Sequence, residues 1–594
     1  MRFTPRPHEQ AVENAALDEG YTPLQARIIG SRLKNNTVFE HGSVRAVLDP
    51  SLSDLPSPEL LPDMDKGCER ILRAIRNNEK LIICADHDAD GVGSSHVLFA
   101  GLVRHLGVPQ DLIVPMTTHR LKEGYGLSRP YLERVLAKHP DTRLVVTVDQ
   151  GSANEEGIAW LRQKNIDTVV TDHHALPQEG PPRSAYACIT PARADSQYPD
   201  RSIAGCYVAF LLLQAITSRM LRQGMVNAEQ AKGIVDLMGT VAISTTADCV
   251  DLGQSQVNRA LVRIGLRQIN RFTQPAWRAL WGFLRKEGDH RPITTEDISF
   301  GIAPLLNAAG RVDEAMTGIR LLLARDLDSA RHWAEQLNEA NTERKAIQRD
   351  LLVTAQAEAK RQVAEGVSGL VIFMPNGHAG IHGVVASRLV EQFGRPTICL
   401  SPKIPYEGVL TGSARTVDGF HVKNAFDAIQ QRLAPGCLLG YGGHAGAGGL
   451  QVTAQNVPHL RAAFDAAVRE AMPEHVFEST ALVEACAVPP VSNETIDELL
   501  AIDPYGRGFD APLFQENVIV EQVRPVGDGT HLSMQVRLPN GESHRAIWFS
   551  ARPAADVHRP PQIPERARIA FGLSKNVYRG NATPQLMVRG ISVN

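Results

Sequence analysis

Short apolar runs alternate with amphipathic stretches between residues 65 and 260, and each run ends in polar or glycine residues. Runs of this length, bounded by turn residues, are typical of strands buried on both faces of a parallel sheet. The amphipathic stretches between them suit crossover helices. The pattern predicts a doubly wound α/β domain with strands at Leu81–Cys84, Leu112–Pro115, Leu144–Val148, Thr168–Thr171 and Ala187–Ile189.

The rest of the chain changes its pattern at several points. Helical spacing without proline predicts a long connecting helix, and the strand Gly369–Phe373 with a glycine-rich turn after it predicts a second α/β unit. Short strands between Gly, Asn and Asp turns then predict a β-barrel, at Val518–Val523, His531–Leu538, Arg545–Phe549, Arg568–Leu573 and Gln585–Ile591. The predicted domains are 1–60 (an appendage of short helices), 61–312 (first α/β domain), 313–365 (connecting helix), 366–478 (second α/β domain) and 479–594 (barrel).

Acidic and histidine residues follow several strands of the first predicted sheet. Asp86, Asp88 and Asp90 follow the first strand, and carboxylates this close raise one another's pKa unless a cation neutralises them. The C-terminal ends of parallel strands meet at one crevice, so we expect these acids to converge with later groups. Those groups are Asp149, His173, His174 and Asp248. Carboxylates combined with imidazoles suit Mn²⁺ or Mg²⁺, so the sequence predicts a hard-metal site.

Two other interpretations fit the stretch Asp86–Asp90 when it is taken alone. An EF-hand calcium loop needs a glutamate at its twelfth position, which here is Val97, and a helix rather than a strand before it. We therefore reject that interpretation. A solvated acidic turn that caps a helix fits the stretch as well as a metal site does. The His173-His174 pair and the additional acids favour the metal.

The second α/β unit is rich in glycine, with a few cationic and hydroxyl side chains among the glycines. Backbone amides at a glycine-rich helix start favour anions, and arginine binds phosphate oxygens in pairs. Tight turns are the alternative explanation for the glycines. We expect phosphate contacts from His378, Ser387, Arg388, Ser413, Arg415 and His444, with Ser413 and Arg415 on a turn.

Composition limits the class of protein. The chain has 594 residues, of which 43% are hydrophobic and 21% charged, and its net charge of −3 gives no overall basic field. Binding of nucleic acid must therefore use a local groove. Eight cysteines without a C-x-x-C pair predict reduced thiols in a cytoplasmic protein, and no segment reads as a membrane span.

Four short motifs resemble those of the DHH phosphoesterase superfamily. They are Asp86-His87-Asp88-Ala89-Asp90, Val148-Asp149-Gln150-Gly151, Asp172-His173-His174 and Ala247-Asp248. Within this superfamily the sequence is similar to the RecJ family of single-strand-specific 5′→3′ DNA exonucleases. Supporting segments are His119–Leu127, Pro304–Arg311, Gly440–Gly449 of a DHH-associated domain, and Pro504–Gly508 and Lys575–Gly580 of an OB-fold. The resemblance covers residues 60 to 594.

The resemblance implies a two-metal exonuclease that degrades single-stranded DNA to mononucleotides in DNA repair and recombination. Two Mn²⁺ or Mg²⁺ ions would bind per active site. Asp88 and Asp90 would each take one metal, Asp149 would bridge them, and His173 with Asp248 would complete the second site. His174 would contact a phosphate oxygen, while Asp86 is either a ligand or a supporting group. The implied DNA contacts add Asn307, Arg311, Tyr578 and Arg579, with Arg311 after a turn at residues 307–310.

Two positions depart from the family pattern, and two alternatives to the exonuclease stay open. Cys84 stands where some DHH proteins carry a metal-binding histidine, and Leu305 stands where a basic residue is expected. One alternative is a DHH phosphodiesterase acting on short oligonucleotides or cyclic dinucleotides, and the other is an inactive DNA-binding relative. We expect a monomer that acts on single-stranded DNA and does not associate with a membrane. A helicase or a single-strand-binding protein is a candidate helper.

Overall fold

The computed structural model describes residues 1–119, 123–124, 126–285, 289–312, 315–403, 407–473, 477–553, 556–578 and 580–592. Its strands are numbered in chain order: β1 (Arg2–Pro5), β2 (Lys80–Ala85), β3 (Ile113–Thr117), β4 (Thr142–Val148), β5 (Asp167–Thr171), β6 (Ala187–Ile189), β7 (Leu370–Phe373), β8 (Thr397–Pro402), β9 (Val409–Arg415), β10 (Leu438–Gly443), β11 (Ala447–Thr453), β12 (Thr480–Val483), β13 (Phe514–Val526), β14 (His531–Arg537), β15 (Ser543–Trp548), β16 (Arg566–Tyr578) and β17 (Asn581–Ser592).

Helices surround and connect these strands. Their bounds are Gln10–Asp18, Pro23–Gly30, Asn35–His41, Val44–Leu48, Met64–Arg76, Ala89–Ala100, Arg129–Lys138, Glu155–Gln163, Gly205–Arg222, Ala228–Gly233, Met238–Ala247, Gln256–Ile269, Pro275–Leu284, Thr295–Asp297, Ala303–Val312, Met316–Leu322, Leu327–Ala364, His382–Phe393, Val422–Ala428, Val457–Ala471 and Asn493–Leu500. None of the helices in the described ranges combines the length and the hydrophobicity of a transmembrane helix.

The first sheet has the parallel order β3-β2-β4-β5-β6. Its strands are almost entirely buried because both faces are covered: in β2, Leu81 and Ile83 pack into one hydrophobic cluster, and Ile82 and Cys84 into another. The five predicted strands are confirmed, with β3 beginning at Ile113 and running on to Thr117. This arrangement places the C-terminal ends of β2, β4 and β5 at a single edge.

The second sheet is mixed, in the order β10-β11-β9-β8-β7. Only the pair β7–β8 is parallel, and the other pairs are antiparallel. The predicted long helix is divided, because Met316–Leu322 precedes a separate helix, Leu327–Ala364, whose first turn is capped by Asp326. That helix joins the two α/β units.

The C-terminal strands form the predicted closed barrel, in the order β13-β14-β15-β17-β16. The N-terminal appendage contains β1 as well as the predicted short helices, and β1 pairs in parallel with β12, just before the barrel. The buried Arg32 forms a 2.6 Å salt bridge with the buried Glu484. One hydrophobic cluster continues from the N-terminal helices through the first α/β unit into the barrel. The predicted fold class is therefore confirmed.

Two predicted turns prove to be regular structure. Ser413 and Arg415 lie on β9 rather than on a turn, and the segment 307–310 lies within the helix Ala303–Val312. In both cases a glycine permits close packing. A Cβ on Gly412 would lie 2.5 Å from Leu400, and one on Gly310 would lie 2.2 Å from the carbonyl oxygen of His87.

Candidate metal centre

The first acidic motif forms the turn between β2 and the helix Ala89–Ala100. Asp88 caps this helix, because its Oδ1 accepts hydrogen bonds from the amides of Asp90 at 3.0 Å and Gly91 at 3.1 Å. A Cβ at Gly91 would lie 2.4 Å from the carbonyl oxygen of Asp86, so the turn requires glycine there. Asp86 in turn lies 2.7 Å from Nδ1 of His87. The turn thus fixes the motif at the edge of the sheet.

Asp90 is buried and held by the start of another helix. Its two carboxylate oxygens accept hydrogen bonds from the amides of Gly205 at 2.7 Å and Cys206 at 2.9 Å. The first amides of a helix have no acceptor within the helix itself, and the N-terminus of the helix Gly205–Arg222 favours negative charge. A Cβ on Gly205 would lie 2.4 Å from Oδ1 of Asp149, so this glycine lets two carboxylates approach one helix start. No sequence signal pointed to Gly205.

Asp149 follows β4 in a backbone conformation that is uncommon for a residue other than glycine, with a φ of 59°. Its Oδ1 lies 3.3 Å from Nε2 of His173, and Nε2 lies 3.7 Å from Oδ2 of Asp248. Among the described residues, neither Oδ1 of Asp149 nor Nε2 of His173 has a hydrogen-bond partner, although both atoms are buried. Two buried ligand atoms that lie 3.3 Å apart and lack hydrogen-bond partners are suited to binding the same cation.

Three overlapping groups of side chains have ligand atoms within 4.8 Å of one another. They are Asp86 with Asp88 and Asp149, Asp90 with His173 and Asp248, and Asp149 with His173 and His174. The structure therefore brings together the seven residues that the sequence predicted to surround a metal. Carboxylate oxygens with one or two imidazoles form a donor set suited to Mn²⁺ or Mg²⁺.

Asp172 orients the histidine pair. One of its oxygens accepts hydrogen bonds from the amides of His173 at 2.7 Å and His174 at 3.1 Å, and lies 2.8 Å from Nδ1 of His174. The other accepts from the amide of Ser152 at 2.9 Å. Asp172 stood in the predicted motif without a role of its own. Its position directly before the histidines was the available signal.

The pKa values of three carboxyl groups in the centre are raised far above their usual range. Burial, followed by the charge of Asp88, raises the pKa of Asp90 to about 7. Burial with the charges of Asp90 and Asp88 raises the pKa of Asp248 to about 8, and burial with the same neighbours raises the pKa of Asp149 well above its usual value. Such repulsion among buried carboxylates is relieved by a bound cation.

The two histidines have opposite electrostatic character. Burial, and then the charge of His174, lower the pKa of His173 to about 4. Burial also opposes charge on His174, but its hydrogen bond to Asp172 and the nearby carboxylates outweigh this and raise its pKa to about 9. Because Nε2 of His173 is buried and has no hydrogen-bond partner among the described residues, it is available as a ligand.

The second α/β unit faces this centre through one histidine. The ring of the exposed His444 stacks near that of His174, with 5.9 Å between centroids. Ser413 and Arg415 lie on one face of β9, because residues two apart on a strand point to the same side. A Cβ on Gly383 would lie 2.5 Å from Nη2 of Arg415, so this guanidinium lies over the first turn of the helix His382–Phe393.

Other predicted DNA contacts are engaged within the protein. The Ser387 hydroxyl donates to the carbonyl of Gly383 at 3.0 Å, and Arg388 pairs with Glu391 at 2.8 Å. His378 Nδ1 accepts from the amide of Gly380 at 3.2 Å. Oδ1 of Asn307 accepts from the amide of Ala89 at 2.7 Å, so this side chain supports the acidic turn.

Some residues singled out in the sequence lie outside the described residues, and two others lie away from the centre. The side chains of Arg311 and Tyr578, and all of Arg579, lie outside the described residues, as do residues 120–122 and 125 of the His119–Leu127 segment. Cys84 and Leu305, the two departures, are buried in hydrophobic clusters and are not part of the centre.

Models of known protein families match three segments of the chain, which lie in the two α/β units and at the barrel. Family models match at residues 80–243 (DHH family, N-terminal domain), 366–470 (DHHA1 domain) and 485–590 (RecJ OB domain). The single-stranded-DNA-specific exonuclease RecJ of Haemophilus influenzae is 32% identical over 574 residues, which is 95% of each chain.

Solved structures of RecJ proteins are among those that resemble the chain. The RecJ of Thermus thermophilus in complex with Mn²⁺ has a TM-score of 0.74 at 24% identity, covering 100% of this chain and 79% of that one. A structure of exonuclease RecJ bound to manganese has a TM-score of 0.52 at 28% identity, covering 70% of this chain and 96% of that one.

Proposed function

Because the chain belongs to the RecJ family of single-stranded-DNA-specific exonucleases, we infer that it is a metal-dependent exonuclease acting on single-stranded DNA. The observation that carries this inference is the pair of buried, unpartnered ligand atoms, Asp149 Oδ1 and His173 Nε2, within the carboxylate cluster. An inactive DNA-binding relative would have no need to maintain several buried acids with raised pKa values.

We propose that two Mn²⁺ or Mg²⁺ ions occupy the centre. Asp88 with Asp86 and Asp149 would hold one ion, and Asp90 with His173, Asp248 and Asp149 would hold the other. When bound, such ions neutralise charge on the scissile phosphate and on the departing oxygen. The manganese-bound RecJ at 28% identity supports this choice of metal.

The chain's own residues would perform the remaining steps. Asp172 keeps His174 protonated at neutral pH and occupies its Nδ1, so Nε2 of His174 would donate a hydrogen bond to a phosphate oxygen. His444 closes over this position from the second α/β unit. We propose that the strand enters between the two units, in a groove that admits a single strand and excludes a duplex by width.

We propose that digestion runs 5′→3′ and releases mononucleotides. Arg415 and Ser413 would bind the 5′-terminal phosphate, which carries more charge than an internal one. The barrel would hold the strand further along, which favours long DNA over the dinucleotide substrates of the first alternative. Exposed aromatic surface at Phe549 supports base stacking there.

The test is a nuclease assay on single strands labelled at either end. With Mn²⁺ present, a 5′-labelled strand should lose its label at once as a mononucleotide, while a 3′-labelled strand shortens progressively. Release of 3′ label first would contradict the direction. Cleavage of dinucleotides in preference to long strands would support the phosphodiesterase alternative, and binding without cleavage would support the inactive one.

Biological context is also a proposal. An exonuclease for unpaired strands suits DNA repair and recombination, where a helicase or a single-strand-binding protein would present the substrate. The eight free cysteines and the DNA substrate support a cytoplasmic site of action. The monomeric state stays a prediction.

A further inference from the structure

The segment between the helix Asn493–Leu500 and the barrel lies directly against the loop that follows Asp248. The amide of Leu252 in this loop donates to the carbonyl of Arg507 at 2.8 Å. A Cβ on Gly253 would lie 2.2 Å from the carbonyl oxygen of Gly508, so the two backbones are in contact. The polypeptide segment that leads into the barrel therefore lies close to the candidate metal centre.

This segment is held rigidly by a buried arginine. The guanidinium of Arg259 donates to the carbonyls of Leu48 at 3.1 Å, Pro504 at 3.0 Å and Ile502 at 2.5 Å. It also lies 4.2 Å from the centre of the Phe509 ring. The backbone around Arg507 is consequently fixed before any ligand binds.

The side chain of Arg507 is exposed, and its Nη1 donates to the carbonyl of Cys249, the residue after Asp248, at 3.4 Å. Within the described parts of the chain it forms no salt bridge. The neighbouring Arg6 differs, because it pairs with Asp510 at 2.8 Å. A positive group that forms no salt bridge among the described residues, and that acts only at longer range on the carboxylate of Asp248, thus lies next to a centre that we expect to receive a phosphodiester.

We propose that Arg507 binds a phosphate of the DNA strand on the 3′ side of the cleaved bond. The proposal rests on the proposed function, because it assumes a strand that runs from the metal centre towards the barrel. Such a strand passes the Ile502–Phe509 segment. Arginine can bind two phosphate oxygens at once, and a fixed backbone reduces the entropy lost on binding.

The experiment measures equilibrium binding of a fluorescent single-stranded 20-mer to the full chain in chelator, over a range of NaCl concentrations. Arg507→Ala should weaken binding about tenfold. It should also reduce the slope of log K against log salt by about 0.7, the contribution of one single-strand phosphate. Arg507→Gln keeps a donor for the Cys249 carbonyl without the charge and should behave in the same way, whereas Arg507→Lys should keep the slope.

The matched control is Arg271→Ala. Arg271 is also exposed and donates to a neutral oxygen, that of Gln268, at 3.2 Å. It lies beyond the far end of the helix Gln256–Ile269, roughly 20 Å along the helix axis. This variant should bind DNA as the wild type does. Unchanged affinity and slope in both Arg507→Ala and Arg507→Gln would overturn the proposal.

A double-mutant cycle locates the contact. Neutral methylphosphonates are placed one at a time along the strand, and their cost is compared in wild type and Arg507→Ala. Coupling at one phosphate on the 3′ side of the first bond supports the proposal, and additivity at every position overturns it. Because binding is measured without divalent cations, a wild type that fails to digest DNA would refute the proposed function without affecting this result.

Discussion

The two α/β sheets of this chain use their surfaces in opposite ways. The first is fully parallel and buried on both faces, and it gathers carboxylates at one edge, where backbone amides hold Asp88 and Asp90. The second is mixed, and alternate residues of β9 are half-exposed, which presents Ser413 and Arg415 on an open face. One sheet builds a buried acidic centre, and the other carries a single arginine, Arg415, on a half-exposed face.

Glycines allow close contacts in both α/β units, around carboxylates in the first and around a guanidinium in the second. In the first unit, Gly205 lets Asp90 and Asp149 approach one helix start, which concentrates negative charge. In the second, Gly383 makes room for the guanidinium of Arg415 over a helix start. The two surfaces meet where His444 stacks on His174. From this difference we expect the buried acidic edge to need a cation for function, and the half-exposed face of β9 to bind a phosphate directly.

The largest effect is expected from removing the central carboxylate of the acidic edge. Asp149→Ala should reduce hydrolysis by about 10³-fold or more, since a lost metal ligand removes several kcal/mol of transition-state stabilisation. Binding of single strands should persist. The matched control is Asp141→Ala, which removes an exposed carboxylate at the opposite end of the same strand. Near wild-type turnover by Asp149→Ala, measured with end-labelled DNA and Mn²⁺, would contradict the assignment.

A smaller effect should follow from Asp172→Asn. This change removes the charge that holds His174 protonated, so the pKa of His174 should fall from about 9 towards its usual value. Loss of such a supporting group typically costs 10–100-fold. The decline of kcat/KM at alkaline pH should begin at lower pH than in the wild type. An unchanged pH profile would mean that protonated His174 is not required.

Sequence reasoning succeeded where a single local pattern determines the structure. Continuous apolar runs located β2, β4 and β5, and the residues directly after them, such as Asp149, were brought together as expected. Parallel strands impose this convergence, since their C-terminal ends share an edge.

It failed where distant parts of the chain meet. Gly205 contributes to the centre only because its helix starts against Asp90, 115 residues away in sequence. Gly412 and Gly310 suggested turns, yet each allows close packing inside a strand or helix. A glycine in a sequence does not distinguish a positive φ from a close contact. Likewise, the salt bridge between Arg388 and Glu391 could not be separated from a free phosphate-binding arginine.

The open face of the second sheet gives the next prediction. Arg415→Ala should reduce the preference for 5′-phosphorylated over 5′-hydroxyl strands by about tenfold, because a charge-assisted hydrogen-bond pair is lost. Manganese binding should be unchanged. Arg388→Ala is the control, since Arg388 is exposed and paired with Glu391. The measurement compares initial rates on matched strands with blocked 3′ ends. Undiminished preference in Arg415→Ala would place the end-binding pocket elsewhere.

The smallest effect concerns protons at the acidic edge. Raised carboxyl pKa values mean that the folded protein holds protons that the unfolded chain has released, so without metal its stability should fall as pH rises from about 4 to about 8. Manganese must displace these protons, and its stabilising effect should therefore grow between pH 6 and 8. Each displaced proton contributes about 1.4 kcal/mol per pH unit, or about 1 °C in Tm for a chain of 594 residues that unfolds as a whole.

Thermal unfolding with and without Mn²⁺ at several pH values measures this growth. In Asp248→Asn the group with a pKa of about 8 is absent, whereas Asp149 remains, so the manganese shift should grow less between pH 7 and 8 than in the wild type. Arg415→Ala, on the other sheet, should leave the whole profile unchanged. A manganese shift that is constant from pH 6 to 8 in the wild type would show that the acidic edge is already ionised without metal. The contrast between the two sheets would then rest on shape rather than on charge.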